Sequence, residues 1–135
     1  MSFFVTGTDT SVGKTYVTRL ILQSLREEGV DAIGYKPVCC GDRDDVTALS
    51  EASGGLPLDE INPVYLKSPL APYVAAMLEN EVVEPGTMVA GYHQLAARHA
   101  KVIVEGAGGW GVPLAPHFPV SVLAADLGLP VGGGA

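Results

Sequence analysis

The chain has 135 residues, which is enough for one modest domain around one hydrophobic core. Apolar residues make up 47% of it and charged residues 17%, which is typical of a globular protein and excludes a disordered one. The formal net charge of −7 argues against a nucleic-acid partner, because phosphate neutralisation needs clustered Lys and Arg. No apolar run approaches the roughly 20 residues that span a bilayer, and no signal peptide is visible. The sequence therefore predicts no membrane partner and a cytoplasmic location.

The first feature in chain order is a phosphate-binding loop. A strand is predicted over residues 3–7, and residues 7–15 (GTDTSVGKT) follow it and lead into a helix. Such an arrangement cradles phosphate, because backbone N–H groups and the positive end of the helix dipole face the anion. Lys14 then reaches the β- and γ-phosphates, and the Thr15 hydroxyl contacts Mg²⁺. The motif has Thr8 where glycine is usual, but its parts come in the expected order. We therefore expect a phosphate-binding enzyme or switch.

Periodic apolar positions predict the elements that follow. Helical spacing favours a helix over residues 14–28 with Gly29 as its stop, and a second short strand over residues 32–38. A strand–helix–strand unit of this kind implies a parallel sheet with a right-handed crossover. The remaining expectations are helices over residues 45–53, 73–80, 85–100 and 119–127, mostly loop over the proline-rich residues 56–72, and strands over residues 101–105 and 129–131, the last ended abruptly by glycines. The sequence therefore predicts one α/β domain over residues 1–135, with a mostly parallel sheet flanked by helices.

Polar groups follow three of the predicted strands: the phosphate loop, Lys36 and Glu105. In open α/β sheets, ligands lie beyond the carboxyl ends of the strands, so we expect these groups to meet in one crevice. Glu105 alone could be a carboxylate that faces water, but beside a phosphate loop it is a candidate for Mg²⁺. Lys36 could be a solvated lysine or a cation that neutralises a transferred phosphoryl group. Because Pro37 favours an extended backbone before it, the Lys36 side chain is predicted to point into the crevice.

Two pairs of neighbouring residues follow Lys36. Asp44 and Asp45 lie where a helix is predicted to begin, so one of them is expected to cap that helix and the other could contact Mg²⁺. Cys39 and Cys40 are adjacent, which strains a disulfide between them, and no local His supplies a base. We therefore expect two packing residues rather than a cysteine nucleophile or a zinc site.

Three segments of the chain resemble dethiobiotin synthetase. They are residues 4–15 (FVTGTDTSVGKT), residues 34–41 (GYKPVCCG) and residues 104–114 (VEGAGGWGVPL). The segments come in the family's order, and the resemblance spans essentially the whole chain. It implies a P-loop NTPase-like fold with three layers, α/β/α.

The resemblance also implies a function, that of an ATP-dependent ligase of biotin biosynthesis. The family makes the ureido ring of dethiobiotin from 7,8-diaminononanoate, CO₂ and ATP, with Mg²⁺. A substrate amine becomes a carbamate, ATP phosphorylates the carbamate, and the second amine closes the ring with release of phosphate. No protein nucleophile is required, which agrees with the missing Cys–His pair. The family further implies a homodimer with the active site near the interface.

Site residues follow from the same resemblance. Lys36 is expected to be the catalytic lysine, which contacts the carbamate and the γ-phosphate. Thr10 and Cys40 are expected to contact the substrate; Cys40 stands where family members commonly have serine, and a thiol is a weaker donor. The expected Mg²⁺ ligands are Thr15, Asp45 and Glu105. The residues expected to bind the nucleotide are Ser11, Val12, Gly13, Lys14, Thr15, Tyr16, Asp45, Glu105, Gly106, Ala107 and Gly108.

Members of this family continue well past the length of this chain, with further strands, the adenine-recognition segment and much of the dimer surface. We therefore expect a fold truncated at its C-terminal end, and weak or no synthetase activity from this chain alone. Two alternatives stay open. One is a P-loop partition or switch ATPase, although Asp9 stands where those proteins carry a lysine. The other is an inactive nucleotide-binding fragment. Corrinoid synthases share the style of the loop but bring a longer chain with a glutamine-handling domain.

Overall fold

The computed structural model of the chain describes residues 3–6, 11–106, 113–115, 118–119 and 131–133, and the side chains of residues 15–106 among these. The helices are α1 (Ser11–Glu27), α2 (Asp44–Ala52), α3 (Leu58–Ile61), α4 (Pro72–Leu78) and α5 (Pro85–Arg98). The strands are β1 (Phe3–Thr6), β2 (Ala32–Tyr35), β3 (Val38–Cys40), β4 (Val64–Leu66), β5 (Lys101–Glu105), β6 (Pro113–Ala115), β7 (Phe118–Pro119) and β8 (Val131–Gly133).

The central sheet has four parallel strands in the order β2, β5, β1, β8. β5 lies between β1 and β2, so the two strands joined by α1 are parallel, as predicted, without being neighbours. The register pairs Tyr35 with Val104 and Val5 with Glu105. The carboxyl ends of β1, β2 and β5 therefore lie at one edge of the sheet.

Helices cover both faces of this sheet. Successive residues of a strand point to opposite faces, so Gly34 and Tyr35 of β2 contact different helices. On one face, Gly34 of β2 lies against α1 and α2. A Cβ at Gly34 would lie 3.1 Å from the Leu49 side chain and 3.3 Å from that of Leu22, so glycine allows both helices to approach closely. On the other face, the Tyr35 hydroxyl donates to the Met88 carbonyl of α5 at 2.6 Å. The structure thus confirms the predicted α/β fold with helices on both faces of a parallel sheet.

The centre of the core is β5, whose residues Val102, Ile103 and Val104 are fully buried. Both faces of this strand are therefore buried. Full burial of one such aliphatic side chain contributes about 1.5–3 kcal/mol. The strand therefore anchors the position of Glu105 at its carboxyl end.

The second strand ends earlier than predicted. β2 stops at Tyr35, and the Lys36 N–H donates to the Ile61 carbonyl at 2.7 Å, outside the central sheet. Pro37 has no N–H with which to continue a ladder. The chain then enters β3, which pairs in parallel with β4 in a separate two-stranded sheet. The prediction of one strand over residues 32–38 was therefore wrong.

Residues 56–72 are less irregular than predicted, because they contain α3 and β4. The prolines of this stretch flank these elements and do not interrupt them. β4 has three residues and lies opposite β3, with Val38 paired to Val64. A strand this short shows no periodicity in the sequence, which is why it was missed.

The helix boundaries agree with the sequence better than the strand boundaries do. α2, α4 and α5 begin and end within two residues of the predictions, and Gly29 follows α1 with a positive φ of 83°. α1 begins at Ser11, three residues earlier than expected. Neither Asp44 nor Asp45 caps α2: Arg43 holds the cap position without a side-chain cap bond among the described residues, and Asp42 Oδ1 accepts from the Asp44 N–H at 3.0 Å.

The end of the chain departs from the predictions at two positions. Pro119 lies in β7, so a helix does not begin there; residues 120–127 lie outside the described residues, and the helix predicted over them stays a prediction. Gly132 and Gly133 belong to β8, which pairs with β1, so the glycines do not end that strand at Val131. In the part of the chain that the structure describes, no helix is both long and apolar enough to cross a membrane.

Candidate active site

A buried lysine lies between two carboxylates at the carboxyl edge of the sheet. Lys36 directly follows β2, and its side chain is only 3% exposed. Its Nζ lies 2.8 Å from Glu105 Oε2 and 3.0 Å from Asp45 Oδ2. The register explains the closer contact: Tyr35 pairs with Val104, so the residues that follow them lie at the same level. The structure thus brings together Lys36, Asp45 and Glu105, which the sequence places far apart.

The first helix adds a hydroxyl to this cluster. Thr15 lies in α1, is buried, and donates through Oγ1 to Glu105 Oε2 at 3.1 Å. The same carboxylate oxygen therefore accepts hydrogen bonds from Lys36 and from Thr15. The start of α1 and the ends of β2 and β5 meet in one place, as the topology predicted.

The second oxygen of Glu105 has a different environment. Glu105 Oε1 is buried without a hydrogen-bond partner among the described residues, although buried polar atoms are normally paired. The Thr15 hydroxyl and the carboxylates of Asp45 and Glu105 offer hard oxygen ligands of the kind that Mg²⁺ prefers. The residues present therefore fit Mg²⁺, with Oε1 as an available ligand.

The described residues contain no group of three or more His, Cys, Asp or Glu side chains that could hold a metal ion. Mg²⁺ does not require such a group, because it commonly keeps several waters and binds one or two carboxylates together with substrate phosphates. The arrangement suits a cation that shares its coordination with a nucleotide.

Burial and charge act in opposite directions on the central pair. Burial lowers the pKa of Lys36, but the charges of Glu105 and Asp45 and their hydrogen bonds outweigh it, so the pKa lies above its ordinary value. Burial also raises the pKa of Glu105, which the Lys36 charge and the bonds from Lys36 and Thr15 only partly offset. Lys36 therefore stays a cation at neutral pH and cannot act there as a base.

The start of α1 has backbone N–H groups of the kind that the predicted anion cradle requires. The first four N–H groups of a helix have no partner within the helix, and in α1 they belong to Ser11, Val12, Gly13 and Lys14. The side chains of these residues lie outside the described part of the chain, as do Thr10, Ala107 and Gly108. Tyr16 has an exposed side chain, and Gly106 is buried directly after β5. Their roles in nucleotide and substrate binding stay predictions.

The two cysteines are free thiols. Cys39 is buried in the core, and its Sγ donates to the Asp42 carbonyl at 3.3 Å. Cys40 is partly buried at the end of β3, where burial, with smaller effects of Cys39 and Glu79, raises the pKa of its thiol to about 12. This agrees with packing residues. The contact of Cys40 with substrate stays a prediction.

Comparison with known proteins gives the geometry a context. A family model described as an AAA domain matches residues 1–131. The chain belongs to the AAA domain family. Its sequence is 54% identical over 131 residues to an ATP-dependent dethiobiotin synthetase BioD of Akkermansia muciniphila, over 96% of this chain and 62% of that protein. These findings confirm the predicted resemblance to dethiobiotin synthetase.

Two further relatives of this AAA-domain chain bear the same name. The chain is 48% identical over 133 residues to the protein from Anaeromyxobacter dehalogenans, over 95% of this chain and 60% of that one. It is 40% identical over 139 residues to the protein from Aromatoleum aromaticum, over 96% of this chain and 62% of that one. The chain thus spans about three fifths of the length of these relatives.

Beside the cluster of Lys36, Asp45 and Glu105 lies a polar network that the sequence did not predict. Asn62 is fully buried, and its side-chain amide donates to the carbonyl of Lys36 at 2.8 Å. Arg43 donates through Nε to Asn62 Oδ1 at 3.1 Å. The dipeptide Asn62–Pro63 is an ordinary turn signal, so nothing in the sequence alone connects it to Lys36.

Proposed function

We propose that this chain forms the active site of an ATP-dependent dethiobiotin synthetase, a cytoplasmic and homodimeric enzyme that converts 7,8-diaminononanoate, CO₂ and ATP to dethiobiotin, ADP and phosphate. The observation that carries the proposal is Lys36, held between Asp45 and Glu105 beside the start of α1. The identity of 40–54% to proteins named dethiobiotin synthetase supports the choice of reaction.

The start of α1 is the proposed site for the triphosphate. The first N–H groups of the helix and the positive end of its dipole favour an anion. Thr15, Asp45 and Glu105 would hold Mg²⁺, which when bound neutralises charge on the phosphates. This role uses Glu105 Oε1, which has no other partner among the described residues.

Lys36 is the proposed catalytic residue. The carbamate and the γ-phosphate are both anions, so their approach requires a cation between them. Lys36 can supply that charge because its raised pKa keeps the ammonium protonated at neutral pH. Preorganised charges of this kind act on the transition state without reorganising at the moment of reaction.

The bond changes need no protein nucleophile. A carbamate oxygen forms a bond to the γ-phosphorus while the bond from that phosphorus to the terminal oxygen of ADP breaks. The second amine then attacks the carbamoyl carbon, the C–O bond to the phosphoryl group breaks, and phosphate leaves. The attacking amine loses its proton to solvent. Lys36 remains protonated throughout and only stabilises charge.

The test is dethiobiotin formation from 7,8-diaminononanoate, bicarbonate and ATP, followed by mass spectrometry because that readout accumulates slow turnover. Lys36→Met is expected to lower the rate by about 100-fold, the usual order for loss of one electrostatic contact in a transition state. Lys67→Met is the matched control, since Lys67 is exposed, and its rate should stay within about twofold, in line with surface substitutions.

Other outcomes would contradict the proposal. ATP hydrolysis that proceeds at one rate with or without the diamine favours a switch ATPase. ATP binding without any turnover favours a nucleotide-binding fragment. Equal rates for wild type and Lys36→Met would remove Lys36 from the mechanism.

A further inference from the structure

The backbone of Lys36 is fixed by one short segment that begins at the last residue of α3. Its N–H donates to the Ile61 carbonyl at 2.7 Å, and its carbonyl accepts from Asn62 Nδ2 at 2.8 Å. The next carbonyl, that of Pro37, accepts from the Val64 N–H at 3.1 Å. After the chain leaves β2, residues 61–64 therefore replace the central sheet as the support of the lysine.

The chemistry of Asn62 matches this task. Its amide nitrogen donates to the carbonyls of Lys36 and of Val64, the second at 3.0 Å, while its oxygen accepts from Arg43. The residue is fully buried. A carboxylate of the same shape could accept from Arg43 but could not donate to two carbonyls. The site thus requires an amide at this position.

Arg43 connects Asn62 to the helix that carries Asp45. The guanidinium donates to the side chain of Asn62 and, at 3.2 Å, to its carbonyl. Arg43 also directly precedes α2, and its own carbonyl accepts from the Thr47 N–H at 2.9 Å in the first turn. Asp45 lies in that turn, and its carboxylate contacts Lys36. One buried amide is therefore bonded to the lysine backbone and, through one arginine, to the start of the helix that bears the lysine's partner.

We propose that Asn62 is a positioning residue, which acts through the Lys36 main chain and through Arg43 to hold the Lys36 ammonium against Asp45 and Glu105. This inference rests on the proposed function, because it assigns Asn62 to the geometry of that reaction. Asn62 does not touch the reacting atoms. A displacement of a catalytic group by about 1 Å can cost on the order of 100-fold in rate, so its removal should act mainly on kcat.

The first test compares Asn62→Asp with a matched control in the dethiobiotin assay. The control is Ser53→Ala, which also removes a buried side chain bonded to the polypeptide around β2: the Ser53 hydroxyl accepts from the Gly34 N–H at 2.8 Å and donates to the Leu49 carbonyl at 2.6 Å. Asn62→Asp is expected to lower kcat about 30-fold, with the KM for ATP within about threefold. Ser53→Ala should leave kcat within about twofold, even if it destabilises the fold.

The second test does not depend on turnover. A double-mutant cycle of Asn62→Ala with Lys36→Met measures the unfolding equilibrium constant of each variant in urea. If Asn62 places the lysine, removal of Lys36 should change that constant at least about fivefold less in the Asn62→Ala background than in wild type. When Ser53→Ala replaces Asn62→Ala in the cycle, its effect on the unfolding equilibrium constant should be independent of the effect of Lys36→Met, so that the two factors multiply.

The outcomes separate this inference from the proposed function. If the wild-type chain forms no dethiobiotin, the proposed function fails, and only the unfolding cycle then tests the positioning role of Asn62. In that cycle, independent effects of the Asn62 and Lys36 substitutions on the unfolding equilibrium constant overturn the positioning role. Losses of kcat that follow stability equally in the Asn62 and Ser53 variants overturn it too. If the Asn62 variants do not fold, Arg43→Lys is tested in their place. This substitution keeps a cation but loses the planar guanidinium that bonds Asn62. Its kcat should then fall about fivefold, and an unchanged kcat contradicts the inference.

Discussion

Lys36 Nζ lies 2.8 Å from Glu105 Oε2, and both side chains are almost completely buried at the ends of neighbouring strands. Burial of either charge alone is unfavourable, so each depends on the other. Asp45, which is 20% exposed, is the more solvated second partner of the lysine. The loss of one member of the buried pair should therefore destabilise the fold more than the loss of both.

The first prediction concerns stability. Lys36→Met leaves the Glu105 carboxylate buried without its cation and should lower the free energy of unfolding by about 3–5 kcal/mol. The double variant Lys36→Met/Glu105→Gln removes both charges and should recover most of this loss. Urea unfolding at pH 7 measures both, with Lys67→Met as a surface control. A single variant that is no less stable than the double one would show that the pair is not coupled.

The second prediction is a pH dependence of that same variant. Burial raises the pKa of Glu105 above its ordinary value of 4.5, and Lys36 partly opposes this, so the pKa should rise further without Lys36. An acid with a raised folded-state pKa favours the fold below the unfolded pKa, and this contribution is lost as pH rises through the folded pKa. The destabilisation of Lys36→Met should therefore be larger at pH 8 than at pH 5.

The urea midpoints of wild type and Lys36→Met at the two pH values give the measurement. The double variant Lys36→Met/Glu105→Gln lacks the Glu105 carboxyl, keeps only Asp45 as a titrating group of this cluster, and should show a smaller difference between the two pH values. A loss of stability in Lys36→Met that is larger at pH 5 than at pH 8 would contradict the prediction.

The third prediction concerns ligand binding at the start of α1. A ligand at about 100 times its Kd stabilises a fold by about 2.7 kcal/mol, which for a domain of this size raises the Tm by roughly 10 °C. MgATP should give such a shift in wild type, and Glu105→Gln should lose most of it because the variant lacks the carboxylate that fits Mg²⁺. Ser53→Ala should keep the shift. An equal response of Glu105→Gln and wild type would exclude Glu105 as a ligand.

The fourth prediction concerns Cys40. Burial raises the pKa of its thiol to about 12, so at pH 8 only roughly one part in ten thousand is thiolate. Iodoacetamide should therefore modify Cys40 at least about 100-fold more slowly than it modifies a free cysteine. The chain unfolded in urea is the control and should react at the ordinary rate. Rapid modification of the folded chain would show that the thiol is more exposed or more acidic than its surroundings indicate.

Much of the site could be predicted from the sequence because its parts obey local rules. Three local patterns each indicate the end of a strand or the start of a helix: Gly-Lys-Thr before an apolar helix, a lysine before proline, and a carboxylate after a buried strand. Parallel strands then bring those ends to one edge. The contact of Lys36 with Glu105 follows from this topology, although its distance does not.

The rest depended on tertiary contacts that have no periodic signal. β4 has three residues and forms because β3 lies beside it. The sequence predicted that Asp44 or Asp45 caps α2. In the structure, Asp42 accepts a hydrogen bond from the Asp44 N–H, and the Asp45 carboxylate contacts Lys36. Asn62 resembles any residue that begins a turn until the fold places Lys36 and Arg43 on either side of its amide.

Carbamate phosphorylation by this chain is tested most directly by isotope incorporation. The chain is incubated with 7,8-diaminononanoate, ATP, Mg²⁺ and ¹³C-bicarbonate, and both labelled dethiobiotin and ADP are counted. We expect the label to enter the ureido carbon, one ADP to form for each dethiobiotin, and Lys36→Met to lose both products together. ADP formed at an unchanged rate without the diamine, with no labelled dethiobiotin, would contradict it.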